Sequence, residues 1–323
     1  MDLLRIPFIV LIDVFKYMNF REKFFISLLS KRARNTLKLT AEIPEFSFKL
    51  SNDLYIHYHL TYAINAYLPY FFMGETVENC CIGGEEMRLN FNKNGVILQD
   101  EPFRKQMILA NHLLDSFRKP TFSVDFLTQA EPAFVLEFMK MINKRKLSIK
   151  SFGYFVVGDS SEFIPRILDE CTEVTDYITV YPRFSNDFVY TSDLPFKANR
   201  LCVYGNCNWL NLESFMSCRC IILQADPYSP RARQSYTSFF TKWMDSDVRL
   251  EQIRLVRIGE SENQLITDAL NNEGTLRKID KCWTELKRSN GSEFFIHRLH
   301  DIAIYSKQGY LEQLRWVVKY SAR

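Results

Sequence analysis

The sequence predicts a mixed α/β protein in which three short helices precede an irregular, repeat-like α/β region ending in antiparallel strands. Three observations predict it. Apolar residues between positions 6 and 40 recur at helical spacing, with capping signals between the segments. From Glu45 onward the period switches to two, and from Phe122 strand-like and helix-like segments alternate. The chain has 323 residues, 47% of them apolar and 15% aromatic, which is ample to fill a core of that size.

The first helix starts near Pro7, where a missing N–H costs no helical hydrogen bond. Phe8, Leu11, Ile12, Phe15 and Met18 form one apolar stripe, and Val10 and Val14 widen it until little of the helix remains polar. Such a short helix cannot bury that much surface alone. Asn19 is placed to cap a second helix with Phe24, Phe25 and Leu28 on its apolar side, and Ser30 to cap a third that turns basic in SKRAR. A three-helix unit of about forty residues lies below the size at which one core usually suffices, so some apolar surface should face a partner or the rest of the chain.

Beyond Thr40, strands are expected in EFSFKLS, DLYIHYHL, MRLNF, GVILQ and TFSVDF. Then follow a helix in PAFVLEFMKMINKR, a strand in SFGYFVV, a helix in EFIPRILDEC, strands in YITVY and LCVY, a helix in WLNLESFMS, a strand in CIIL, a helix in YTSFFTKWM and a strand in LEQIRLV. Counted from Phe122, Tyr154, Ile178, Leu201, Ile221 and Ile253, the strands recur after 32, 24, 23, 20 and 32 residues. A period of about 20 to 29 is that of leucine-rich-repeat units, whose parallel strands line one face. LCVYGN alone fits their Leu-x-Leu-x-x-Asn signature, so the expectation is a leucine-rich-repeat-like layer without regular repeats. Tyr236, Phe239, Phe240 and Trp243 share one helix face and are expected in the core. Near the end, Leu314, Trp316, Val318 and Tyr320 alternate and predict a last strand.

The N-terminal pattern LRIPFIVLIDVFKYMNFREKFFISLLSKRAR resembles an F-box. Ile6-Pro7 stands for the Leu-Pro start and Val14-Phe15 for the paired aliphatics, followed by Met18, Phe24-Phe25 and Ser30-Lys31-Arg32. Ile9 stands where the family often carries an acidic residue, and Ala33 and Arg34 where a tryptophan is common. The resemblance implies docking on the small adaptor subunit of an SCF ubiquitin ligase, and through it on a cullin. The positions that match the motif are Ile6, Pro7, Leu11, Val14, Phe15, Met18, Phe24, Phe25, Leu28 and Ser30. WLNLESFMSCRCIIL, YTSFFTKWM, RLEQIRLVRI and FFIHRLHDIAIYSKQGYLEQLRWVVKY look like the type 2 F-box-associated domain of nematode F-box families, with Leu299, His300 and Asp301 where that family has a turn glycine. The two resemblances imply an F-box over 1–40, a substrate-receptor domain over 41–323, and an unknown target protein bound by the latter.

The rest of the sequence narrows the chemistry. No Gly-x-x-x-x-Gly-Lys loop, Gly-x-Ser-x-Gly elbow or His-Glu-x-x-His helix occurs, and CIGGEE lacks the lysine of a phosphate cradle. A non-enzymatic protein without cofactor or metal is expected. His57 with His59 on an expected strand, and His297 with His300 on an expected helix, would need a cysteine or carboxylate to converge on them before they could bind a metal. Eight cysteines lack both C-x-x-C pairs and a disulfide-framework spacing, which points to reduced thiols in the cytoplasm or nucleus. The apolar run near the start is interrupted by Asp13 and Lys16, unlike a membrane span or a signal peptide, and NGS at 290–292 would matter only in a secreted protein. A net charge of +3 implies neither a nucleic-acid nor a membrane partner. For the target, the segment QADPYSPRARQSY after Leu223 is the expected contact, with Tyr228, Arg231 and Arg233 at its mouth. The alternative reading is a scaffold protein whose N-terminal helices pack internally, with no ligase attached.

Overall fold

The computed structural model describes residues 6–40, 45–58, 76–92, 95–117, 121–127, 130–155, 162–181, 188–205, 207–224, 231–299 and 301–321. The fold is mixed α/β, with three N-terminal helices followed by sheet and helix. Two compact units divide the chain, 1–153 and 154–323.

In the first unit, α1 (Phe8–Tyr17), α2 (Phe20–Leu29) and α3 (Lys31–Thr40) lead into β1 (Glu45–Leu50), β2 (Leu54–Tyr58), β3 (Thr76–Ile82), β4 (Glu85–Asn92) and β5 (Gly95–Leu98). They are followed by α4 (Phe103–Ser116), β6 (Thr121–Phe126), α5 (Pro132–Lys144) and β7 (Ile149–Phe155), of which Tyr154 and Phe155 belong to the second unit. Both expected caps form: Asn19 and Glu22 exchange hydrogen bonds in a capping box of 2.9 and 2.8 Å, and Ser30 Oγ accepts the Ala33 N–H at 3.0 Å. CIGGEE is a tight hairpin turn between β3 and β4, and Gly83 and Gly84 take the positive φ values that its type demands.

Alternation sets the layers. Phe46, Phe48 and Leu50 on β1, with Phe122, Val124 and Phe126 on the parallel neighbour β6, point to one buried side. There Phe46 meets Phe117 at 5.6 Å, Phe48 meets Phe138 of α5 at 6.1 Å, and Phe126 meets Phe138 at 5.4 Å. Helix α4 is an element not expected above, although its signal is present: Gln106, Leu109, Ala110, Leu113 and Leu114 are buried at helical spacing.

The helices of residues 1–40 pack against the elements that follow them in the first unit. Phe20 of α2 stacks on Tyr58 at 4.8 Å and reaches Phe46 at 6.3 Å, and Phe24 reaches Phe91 at 5.3 Å. Ser27 Oγ lies 2.7 Å from His112 Nε2 on α4, inside the same core. The apolar side of α2 is therefore satisfied by the sheet that follows it in the chain.

The second unit contains α6 (Ile164–Asp169), β8 (Tyr177–Tyr181), β9 (Arg200–Val203), β10 (Cys220–Gln224), α7 (Arg233–Asp245), β11 (Gln252–Val256), α8 (Glu260–Asn271), β12 (Thr275–Lys278), β13 (Trp283–Lys287), β14 (Glu293–Arg298), β15 (Ile302–Ser306) and α9 (Lys307–Ser321). Strands β8, β9, β10 and β11 lie side by side and parallel, and β15, β14, β13 and β12 continue antiparallel beyond β11. Ile178, Leu201, Ile221 and Ile253, four of the positions from which the strand spacing is counted, stand in one register row, all of them buried. Trp243 of α7 is buried as expected, donating to the Leu250 carbonyl at 2.9 Å and meeting Phe294 edge-on at 5.4 Å.

Two expectations are corrected here. The helix expected in WLNLESFMS is a single 3-10 turn, Leu212–Phe215, because an isolated bridge ties Leu210 to Tyr190 on one side and Cys220 opens β10 on the other. The expected last strand is α9, a helix. Both sides of β15 are already paired, by β14 and β11, so the chain leaving it has no adjacent place to add a strand. Its Lys, Gln, Glu, Leu and Arg residues are good helix formers, and Tyr310 stacks on Phe295 at 3.9 Å.

Candidate functional site

The ten motif-matched positions do not form one outward surface. Leu11, Phe15 and Phe24 are buried, Ile6, Val14, Met18, Phe25 and Leu28 are partly buried, and only Pro7 and Ser30 are exposed. The Pro7 carbonyl starts α1 by accepting from Val10 and Leu11 at 3.0 and 3.1 Å. The stripe that identifies the helix in sequence is thus largely the side that its own unit covers. What faces outward is a different set: Ile9 is 76% exposed, Val10 47% and Tyr17 90%, with Leu29 and Leu39 also exposed. Positions 9, 10, 13 and 17 share one side of α1, which also carries Asp13, paired with Lys16 at 3.2 Å. The sequence signal for this side was the excess apolar width of the first helix.

Among the three residues expected at the target site, Tyr228 lies outside the described residues and the other two diverge. Arg231 is 5% exposed, and its guanidinium donates to the carbonyls of Leu210 at 2.7 Å and Cys207 at 2.5 Å. Nearby, Tyr236 Oη donates to Glu262 Oε1 at 2.5 Å. The expectation that Arg231 stands at a binding mouth is corrected: it is an interior donor to the Leu210 carbonyl and a second donor to the Cys207 carbonyl, which also accepts from the Leu210 N–H at 3.1 Å. Arg233, on the first turn of α7, is exposed and lies 3.9 Å from Asp268.

A more organised surface lies on the open side of the second unit's sheet. Opposite the buried row, one register row carries Tyr177, Arg200, Cys220, Gln252 and Tyr305, and the next carries Thr179, Cys202, Ile222 and Arg254. Beyond them Phe155, Tyr181 and Tyr204 stack face to face at 4.1 and 4.6 Å. Gln252 Nε2 donates to Tyr305 Oη at 3.0 Å. Tyr305 packs with Phe295, Ala303, Trp283 and Tyr310, so α9 covers the β14–β15 end of this side and leaves β8 to β11 open. The step between is a cavity of about 690 Å3 lined by Tyr177, Arg200, Gln252, Arg254, Tyr305 and Trp316, among others.

No group of three His, Cys, Asp or Glu side chains able to hold a metal occurs among the described residues. His57 is on β2 and buried, and burial, with Lys49 adding to it, lowers its pKa to about 4. His297 is on β14, not on a helix, 4.7 Å from the Trp283 ring; His59 and His300 lie outside the described residues. All eight cysteines are free. Burial raises Cys202 to about 11 and Cys218 to about 12, the opposite of an activated thiolate. No helix among the described residues is long and apolar enough to cross a membrane.

No family model, curated protein or solved structure matches the chain.

Proposed function

We propose that this protein is a non-enzymatic substrate-recognition subunit of an SCF-type ubiquitin ligase. The N-terminal helices dock the ligase adaptor, and through it a cullin, while the C-terminal region holds a target protein for ubiquitin transfer by proximity. The observation that carries this reading is the exposed apolar side of α1, Ile9, Val10 and Tyr17, on a segment whose residue order resembles an F-box. Large exposed side chains grouped on one helix side are a docking signal. The same reading assigns the chain to the cytoplasm or nucleus, in keeping with its unpaired thiols.

One observation favours a second reading, an interaction scaffold without ligase: α2 buries Phe20 and Phe24 in the core it shares with β1 and β4. Affinity capture of the full chain separates the two. Wild-type protein is expected to recover the adaptor, and Ile9→Asp with Tyr17→Asp to lose it by tenfold or more at unchanged melting temperature, since interface energy concentrates in a few apolar anchors worth about 2 kcal/mol each. Equal recovery by a folded double variant, or none by the wild type, overturns the ligase reading.

A further inference from the structure

The open side of the β8–β11 sheet is left without a role by the fold itself, and its charges are unevenly matched. Arg219 is paired with Glu251 at 2.9 Å and with Glu312 of α9, and Arg254 is paired with Asp301 at 2.5 Å. Asp176 accepts from Asn199 Nδ2 at 3.3 Å. Arg200 lies over the Tyr177 ring at 5.4 Å and has no carboxylate partner among the described residues. The carboxylates of the cavity rim are thus engaged, while the exposed Arg200 guanidinium meets the Tyr177 ring and the Cys220 side chain but no carboxylate among the described residues.

Arg200 opens β9 and Tyr204, whose N–H still donates to the Val180 carbonyl at 3.0 Å, directly follows it, so the two are four residues apart, which at about 3.3 Å per extended residue is about 13 Å. An extended peptide covers the same distance in four residues, and an even interval sends both side chains to one side. We infer that this sheet face is a peptide-binding site. It takes an extended segment of a partner protein with an acidic side chain at Arg200 and, four residues away, an aromatic one on the Phe155–Tyr181–Tyr204 stack. The charge-assisted contact to a guanidinium fixes the register, and the ring contact adds buried area. Gln252 and Tyr305 supply polar atoms at the cavity wall. The inference depends on the receptor reading only in treating the peptide's owner as the ligase target.

The test is a selection from a phage-displayed random dodecapeptide library on the full chain and on its Arg200→Glu variant. Wild-type protein is expected to enrich Asp or Glu four positions from Phe, Tyr or Trp. The enriched peptides, made synthetically, should lose on the order of tenfold or more in affinity for Arg200→Glu, whose exposed site leaves the fold intact. Peptides without that spacing, equal affinity for both proteins, or no enrichment at all would overturn the inference. Adaptor capture by Arg200→Glu is measured alongside: its loss in wild type and variant alike counts against the receptor reading and leaves the peptide result standing.

Discussion

Arg231 illustrates how a residue's neighbours override its type. Arginine in a proline-containing connection reads as exposed, yet this one donates to two main-chain carbonyls beside Glu262, which is 2% exposed. Arg231→Ala should destabilise the protein by about 3 kcal/mol, because both carbonyls lose a donor and the buried carboxylate loses its nearby cation. Arg233→Ala should change stability by less than about 0.5 kcal/mol. Urea midpoints at pH 7 measure both. Two histidines set a pH dependence at the same scale. Burial lowers His57 and His112 to about 4, with Lys49 and Arg34 respectively adding to the shift. Between pH 6.5 and 4 the unfolded chain binds protons at these sites and the folded chain does not. Stability is therefore full above pH 6.5 and falls as the pH drops toward 4, by an upper bound of about 3 kcal/mol per histidine. His112→Asn should flatten that fall in urea titrations; an unchanged slope would show that the imidazole is not held neutral.

At the scale of elements, α9 is the informative case. Leu314, Trp316 and Val318 alternate, but Leu311, Leu314 and Val318 also recur at helical spacing, so a short apolar run cannot distinguish the two periods. What decides is the sheet: β15 has both neighbours filled. Gly309 tests the resulting geometry. On helix propensity alone Gly309→Ala would stabilise by about 1 kcal/mol. In this fold an added Cβ would sit 2.5 Å from the Glu251 carbonyl oxygen, a main-chain atom that also accepts from Ser306 N. The expected result is a lower melting temperature; a rise would mean that α9 does not approach β11 in this way.

For the whole molecule, the division of labour between segments differs from their order in sequence. The first forty residues resemble a separable module, but α2 fills the core of the first unit. Removing residues 1–40 should expose Phe46, Phe91 and Phe117, which are now fully buried, and give a product that aggregates or binds a hydrophobic dye. A soluble, dye-negative 41–323 fragment would show that the first forty residues are separable at 40/41. For the same reason adaptor binding has to be measured on the full chain, since a forty-residue fragment lacks the sheet that completes its core.

The sequence by itself determined the class of the fold, both helix caps and most of the strands, because caps and alternation are encoded locally in residues one to four apart. Buried Trp243 was legible for the same reason. Only the tertiary structure decided which side of α1 faces out, that Arg231 is interior while Arg200 and Tyr204 share an open face, and that the last segment is a helix. Each of these depends on which distant segment occupies the adjacent space. Phe46 and Phe91 claim α2, β11 and β14 close both sides of β15, and strands about twenty residues apart align Arg200 with Tyr177. No local period carries that information.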